Sequence, residues 1–127
     1  MNVLLDTCAL IALANGLLPV AAANAFGAAT HAYASTASVW EAAIKFKTGK
    51  LPLPLPPQAW FEGLCRRYHL TELPLPSALL CAAADLPLIH RDPFDRLLIA
   101  TAMEKNLILL TSDLTIPTYP SIRVIWK

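Results

Sequence analysis

The stretch Asn2-Val3-Leu4-Leu5-Asp6-Thr7-Cys8-Ala9-Leu10-Ile11-Ala12-Leu13-Ala14 decides the fold class. Four residues of mostly apolar character, Asn2 to Leu5, suit a strand buried on both faces and end at an acid. Thr7 to Ala14 then has helical composition, and Asn15-Gly16 reads as its stop and turn. A buried strand that runs straight into a helix is the opening of an α/β layer fold. Asp6 sits at the junction.

The same grammar repeats along the chain. Pro19 to Ala29 is alanine-rich and predicts a second helix. Tyr33 to Ser35 suits a short strand, and Ser38 opens a helix to about Lys47, with Gly49 as its stop. Leu51 to Pro57 (LPLPLPP) excludes regular helix or central strand and reads as an extended connector. Gln58 to Tyr68 is a further helix, Leu70 to Leu73 a strand and Ser77 to Ala84 a small helix. Pro93 to Lys105 is a clear helix ended by Asn106. Leu107 to Thr111 and Ile122 to Ile125 are the last strands. Strands alternating with helices point to a mostly parallel central sheet with helices on both sides. In such sheets, function gathers where strands end and helices begin.

Composition bounds the answer. The chain has 127 residues, the size of one domain, 1–127. Apolar residues make up 56% and charged residues 15%, which excludes a disordered chain and suggests apolar surface for a partner. No charged residue occurs from Thr7 to Trp40. Asn15, Gly16, Pro19, Asn24, Thr30 and His31 interrupt that stretch before it reaches the ~20 apolar residues of a spanning helix. Two short soluble helices, no membrane association and a cytoplasmic location are expected. Cys8, Cys65 and Cys81 form no CxxC pair and read as buried reduced thiols.

Four acids stand at element junctions: Asp6, Glu41, Asp95 and Asp113. In a parallel sheet Asp6 and Asp113 leave at the same edge, and helix starts bring Glu41 and Asp95 there. Each also has a local reading. Asp6 fits an N-cap, and Ser38-Val39-Trp40-Glu41 fits a capping box. Asp92-Pro93-Phe94-Asp95 fits an N-cap followed by proline and a first-turn acid, and Asp113 fits a turn. Taken together, clustered carboxylates repel unless a cation neutralises them. Mg²⁺ and Mn²⁺ favour such oxygen donors. That arrangement suits phosphodiester hydrolysis without a histidine or lysine nucleophile. The three histidines read mainly as structural or surface residues, with His90, two before Asp92, the one near enough to reach the acids.

LLDTCAL near the start, SVWEAAIKFKTGKLPLP in the middle, HRDPFDRLLIATA later and LLTSD near the end together resemble a PIN-domain protein. The likeness is to the VapC-type toxin of bacterial toxin–antitoxin modules. It runs from Asn2 to about Trp126. The resemblance implies a PIN fold, a Mg²⁺- or Mn²⁺-dependent endoribonuclease acting on RNA, a small cognate antitoxin, and a homodimer or toxin–antitoxin hetero-oligomer. It implies Asp6, Glu41 and Asp95 as the core of the site, Asp113 as a frequent fourth acid and Asp92 as an accessory one. This chain has Cys8 where many members have histidine. Thr7, Thr111 and Ser112 are candidates for orienting a carboxylate or contacting phosphate, with local turn bonding as the alternative. Arg96 would balance the acids or contact substrate, or form a surface ion pair.

Net charge is +1. With four acids assigned to a metal site, the remainder is basic, with clusters at Lys45, Lys47 and Lys50 and at Arg66 and Arg67 that could hold phosphates. Apolar faces at Leu10-Ile11-Leu13 and Trp60-Phe61-Leu64 are candidate grooves for an antitoxin helix. Two other classes compete: a non-catalytic PIN-like RNA-binding protein, and a receiver-like signalling module. The latter expects paired acids after the first strand and a lysine after the last core strand, and neither is present.

Overall fold

The computed structural model describes all 127 residues. Five strands form one sheet: β1 (Asn2–Leu5), β2 (His31–Ser35), β3 (Leu70–Leu73), β4 (Ile108–Leu110) and β5 (Arg123–Ile125). Their spatial order is β3-β2-β1-β4-β5, and every neighbouring pair is parallel. Parallel pairing needs long crossovers. Six helices lie between the strands: α1 (Thr7–Ala14), α2 (Val20–Ala28), α3 (Thr36–Lys47), α4 (Pro57–Tyr68), α5 (Ser77–Asp85) and α6 (Pro93–Lys105). A short 3-10 turn, Ile116–Thr118, lies between β4 and β5. The α/β architecture expected from the sequence is the one observed.

Alternation along the central strands sends side chains to two faces. Val3 and Leu5 of β1 and Ile108 and Leu110 of β4 join Leu10, Leu13, Phe61 and Leu64 in the larger core. Leu4 and Leu109 pack on the other face with Leu98, Ile99 and Ala102 of α6. Each fully buried leucine contributes roughly 1.5–3 kcal/mol by leaving water.

Several expectations change. The capping box at Ser38–Glu41 does not form. β2 runs from His31, which pairs with Asn2, to Ser35, so the strand's last residue is the hydroxyl that stands where α3 begins. It caps α3, accepting the Ala37 N–H at 3.0 Å. Ser38 is therefore inside the helix, and Glu41 lies in its second turn. The expected apolar grooves are largely closed: Leu10, Leu13, Trp60, Phe61 and Leu64 are buried together because α1 and α4 share one sheet face, while Ile11 is half-buried and lines the pocket at the carboxyl ends of the strands. Exposed apolar surface lies elsewhere, at Leu17, Val20, Trp40, Leu88 and Leu114. Cys8 and Cys81 are exposed rather than buried; Cys65 is half-buried. No helix is long and apolar enough to cross a membrane.

The strand order places the site. The chain runs outward from β1 to β2 and β3, then returns to β4 on the other side of β1. The carboxyl ends of β1 and β4 thus border the crevice where ligands bind in open α/β sheets. The Asp6 N–H extends this pairing by donating to the Leu110 carbonyl at 3.2 Å.

Candidate metal centre

A pocket of about 370 Å³ opens at that crevice, and five carboxylates line it: Asp6, Glu41, Asp92, Asp95 and Asp113. Lys45 is the cation beside them. The five acids come from four parts of the chain, so the fold gathers charge that local sequence keeps apart.

Each acid has an identifiable anchor. Asp6 ends β1 and caps α1, its Oδ1 accepting the Ala9 N–H at 2.7 Å. Glu41 is buried; Thr7 Oγ1 donates to its Oε1 at 2.6 Å, and Lys45 Nζ to its Oε2 at 2.9 Å. Thr7 Oγ1 also pairs with Ser38 Oγ at 3.0 Å, which ties α1 to α3. Asp92 caps α6 through Oδ1 and the Phe94 N–H at 2.9 Å. Asp113 Oδ1 accepts the Thr115 and Ile116 N–H groups at 2.7 and 3.1 Å. These are the local bonds foreseen for Asp6, Asp92 and Asp113. Capping and pocket-lining coexist, because a carboxylate that accepts one N–H still has lone pairs to offer.

The hydroxyl candidates divide. Thr7 orients a carboxylate directly. Thr111 accepts the Asp113 N–H at 3.1 Å, which shapes the turn, and its hydroxyl also supports Asp6. Ser112 Oγ lies 3.3 Å from Cys8 Sγ at the rim. Arg96 departs from expectation. It is buried and turned away from the acids, donating to the carbonyls of Ala83, Ala84, Leu86, Pro87 and His90. It closes the carboxyl end of α5, whose last carbonyls lack helical partners. His90 takes the place near the acids that Arg96 does not. Its Nε2 lies 2.9 Å from Asp113 Oδ2 and 3.1 Å from Asp95 Oδ2. Only its nearness to Asp92 in sequence hinted at this.

The electrostatics are unbalanced. Burial above all, with Glu41 and Asp113 adding repulsion, pushes Asp6 from 3.8 up to about 6, against the pull of Thr111 and the Ala9 N–H. Burial, then Asp92, raises Asp95 from 3.8 to about 7, while His90 opposes the rise. Asp113 moves the other way. Its bonds from His90, Thr115 and Ile116 outweigh its burial and lower it. The protein therefore stabilises Asp113 as an anion and leaves Asp6 and Asp95 short of positive charge. Hard oxygen donors with a deficit of cations fit a divalent ion such as Mg²⁺ or Mn²⁺.

A family model described as the PIN domain matches residues 3–120. No curated protein matches the chain. Among solved structures, VapBC2 from Rickettsia felis bound to a DNA fragment from its promoter is similar with a TM-score of 0.72 at 15% identity, over 100% of both chains. DNA-bound VapBC from Salmonella typhimurium gives 0.71 at 20% identity, over 98% of this chain and 97% of that one. FitAcB from Neisseria gonorrhoeae gives 0.65 at 18% identity, over 98% and 96%.

Proposed function

The chain belongs to the PIN domain family, and from that premise we propose that it is a metal-dependent endoribonuclease, the VapC-type toxin of a toxin–antitoxin pair. The observation that carries this reading is the convergence of Asp6, Glu41, Asp95 and Asp113 on one pocket at the switch point of the sheet. The fold likeness to VapBC supports the partner: a small antitoxin that binds the toxin.

Asp6, Glu41, Asp95 and Asp113 would hold a divalent cation. When bound, that ion supplies positive charge for the scissile phosphate and lowers the pKa of a water. The chain's residues do the rest. Asp6 and Asp95, raised to about 6 and 7, are acids whose anionic form is costly until positive charge arrives. Thr7 keeps Glu41 turned into the pocket. Lys45, half-exposed at the rim, offers a cation to an RNA phosphate.

The test is cleavage of labelled RNA by purified protein with Mg²⁺ or Mn²⁺, and with chelator. Cleavage that needs the ion and is lost in Asp6→Ala supports the reading. RNA bound but never cut, with either ion, would favour a non-catalytic RNA-binding protein.

A further inference from the structure

Asp95 and Asp113 belong to different segments, and one side chain joins them. His90 Nε2 sits between Asp113 Oδ2 and Asp95 Oδ2, and the ligating atoms of all three residues lie within 4.8 Å of one another. One imidazole and two carboxylates form a donor set that transition metals accept. Two roles therefore compete for His90: a metal ligand, or a donor that holds the carboxylates.

The other ring nitrogen separates them. Nδ1 accepts the backbone N–H of Asp92 at 3.1 Å. A nitrogen that accepts a hydrogen bond carries no hydrogen, so the ring hydrogen of the neutral imidazole is on Nε2. There it faces the two carboxylate oxygens. To ligate a metal through Nε2, the ring would have to carry its hydrogen on Nδ1, pointing at the Asp92 N–H. Metal-bound histidines show the reverse arrangement, their free nitrogen donating to a carbonyl or carboxylate. The ring is also fixed in place. The His90 N–H donates to the Tyr119 hydroxyl at 2.8 Å, and the His90 carbonyl accepts from Arg96 at 3.2 Å.

We propose that His90 is a positioning residue: a fixed Nε2–H donor that binds Asp113 Oδ2 and sets it against Asp95 Oδ2, and not a metal ligand. Arg96 and Tyr119 act one step further out, by shaping the loop that presents the ring. Its tautomer is independent of the nuclease reading; its effect on metal affinity rests on that reading.

The test has two arms. Nitrogen-15 NMR of the metal-free wild-type protein should show His90 Nε2 protonated and Nδ1 bare; the opposite pattern overturns the proposal. Mn²⁺ titration followed by electron paramagnetic resonance should then show no directly bound histidine nitrogen. His90→Ala should weaken Mn²⁺ about 10-fold, the lower end for residues that support ligands. His90→Gln, whose amide donates from a similar position, should recover most of that loss. A bound-nitrogen signal that vanishes in His90→Ala, or unchanged affinity in that variant, overturns the proposal. Wild-type protein that takes up no Mn²⁺ would refute the metal reading instead, and the tautomer would still be scored.

Discussion

Asp95 and Arg96 are neighbours on α6 with opposite fates. Arg96 turns toward the end of α5, where five backbone carbonyls receive its guanidinium. Asp95 turns into the pocket, where burial and the charges of Asp92, Glu41 and Asp6 stand against its anion and His90 opposes them. About 100° of helical rotation separates the two directions. A buried charge with its partners built in is a structural part. A buried charge left short of partners is built for something that arrives later.

The sharpest way to break this contrast is to remove each member. Asp95→Ala or Asp6→Ala should lower RNA cleavage by at least about 100-fold, as loss of a directly acting group does. Metal-free stability should hold or rise in Asp95→Ala, because a repelling charge is gone, whereas Asp6→Ala also loses the cap of α1. A fully active Asp6→Ala protein would end the nuclease reading. Arg96→Ala should do the opposite, costing about 3 kcal/mol in a urea titration, because buried carbonyls lose their donor. An Arg96→Ala protein of wild-type stability would erase the distinction.

The pH dependence sharpens the contrast further. Asp6 and Asp95 are raised from 3.8 to about 6 and about 7. Between pH 4 and 7 the folded state therefore binds more protons than the unfolded state. Stability falls as pH rises through that window and levels off above it. At roughly 1.4 kcal/mol per pKa unit, Asp6 corresponds to about 3 kcal/mol and Asp95 to about 4, so the loss in chelator should be at most about 7 kcal/mol. Asp113, lowered, changes in the opposite sense below that window. Added Mn²⁺ should flatten the curve, read by thermal unfolding across pH. A metal-free curve that rises toward pH 7 would contradict the charge deficit.

The smallest effect belongs to the rim. Lys45 pairs with Glu41 at 2.9 Å while about half of its side chain is in water. Lys45→Ala should shift stability by less than about 1 kcal/mol. It should weaken RNA binding measurably at low salt, and less so at high salt.

Much of the fold was legible because its signals are local. The apolar run Asn2–Leu5, the Asp92-Pro93 start of α6 and the Asn106 stop each act within a turn or strand, and each lies where the pattern placed it. The start of α3 was misread because Ser35 and Ser38 are both acceptable caps. Only the pairing of β2 with β3, in which Ser35 stands opposite Leu73, selects the first. Arg96 was misread for a similar reason: its partners, Ala83 to His90, belong to a loop and helix end that no local pattern orients.

By itself, then, the sequence determined the alternation of strands and helices and the acids at the starts of α1 and α6 and after β4, since periodicity and capping chemistry are written in neighbouring residues. Tertiary structure decided which acids meet. Asp6 and Asp113 converge because β1 pairs with β4, far along the chain. His90 joins Asp113 to Asp95 because the Arg96-bound loop turns its ring inward. Those outcomes depend on long-range pairing and on the direction of single side chains, which no stretch of sequence specifies alone.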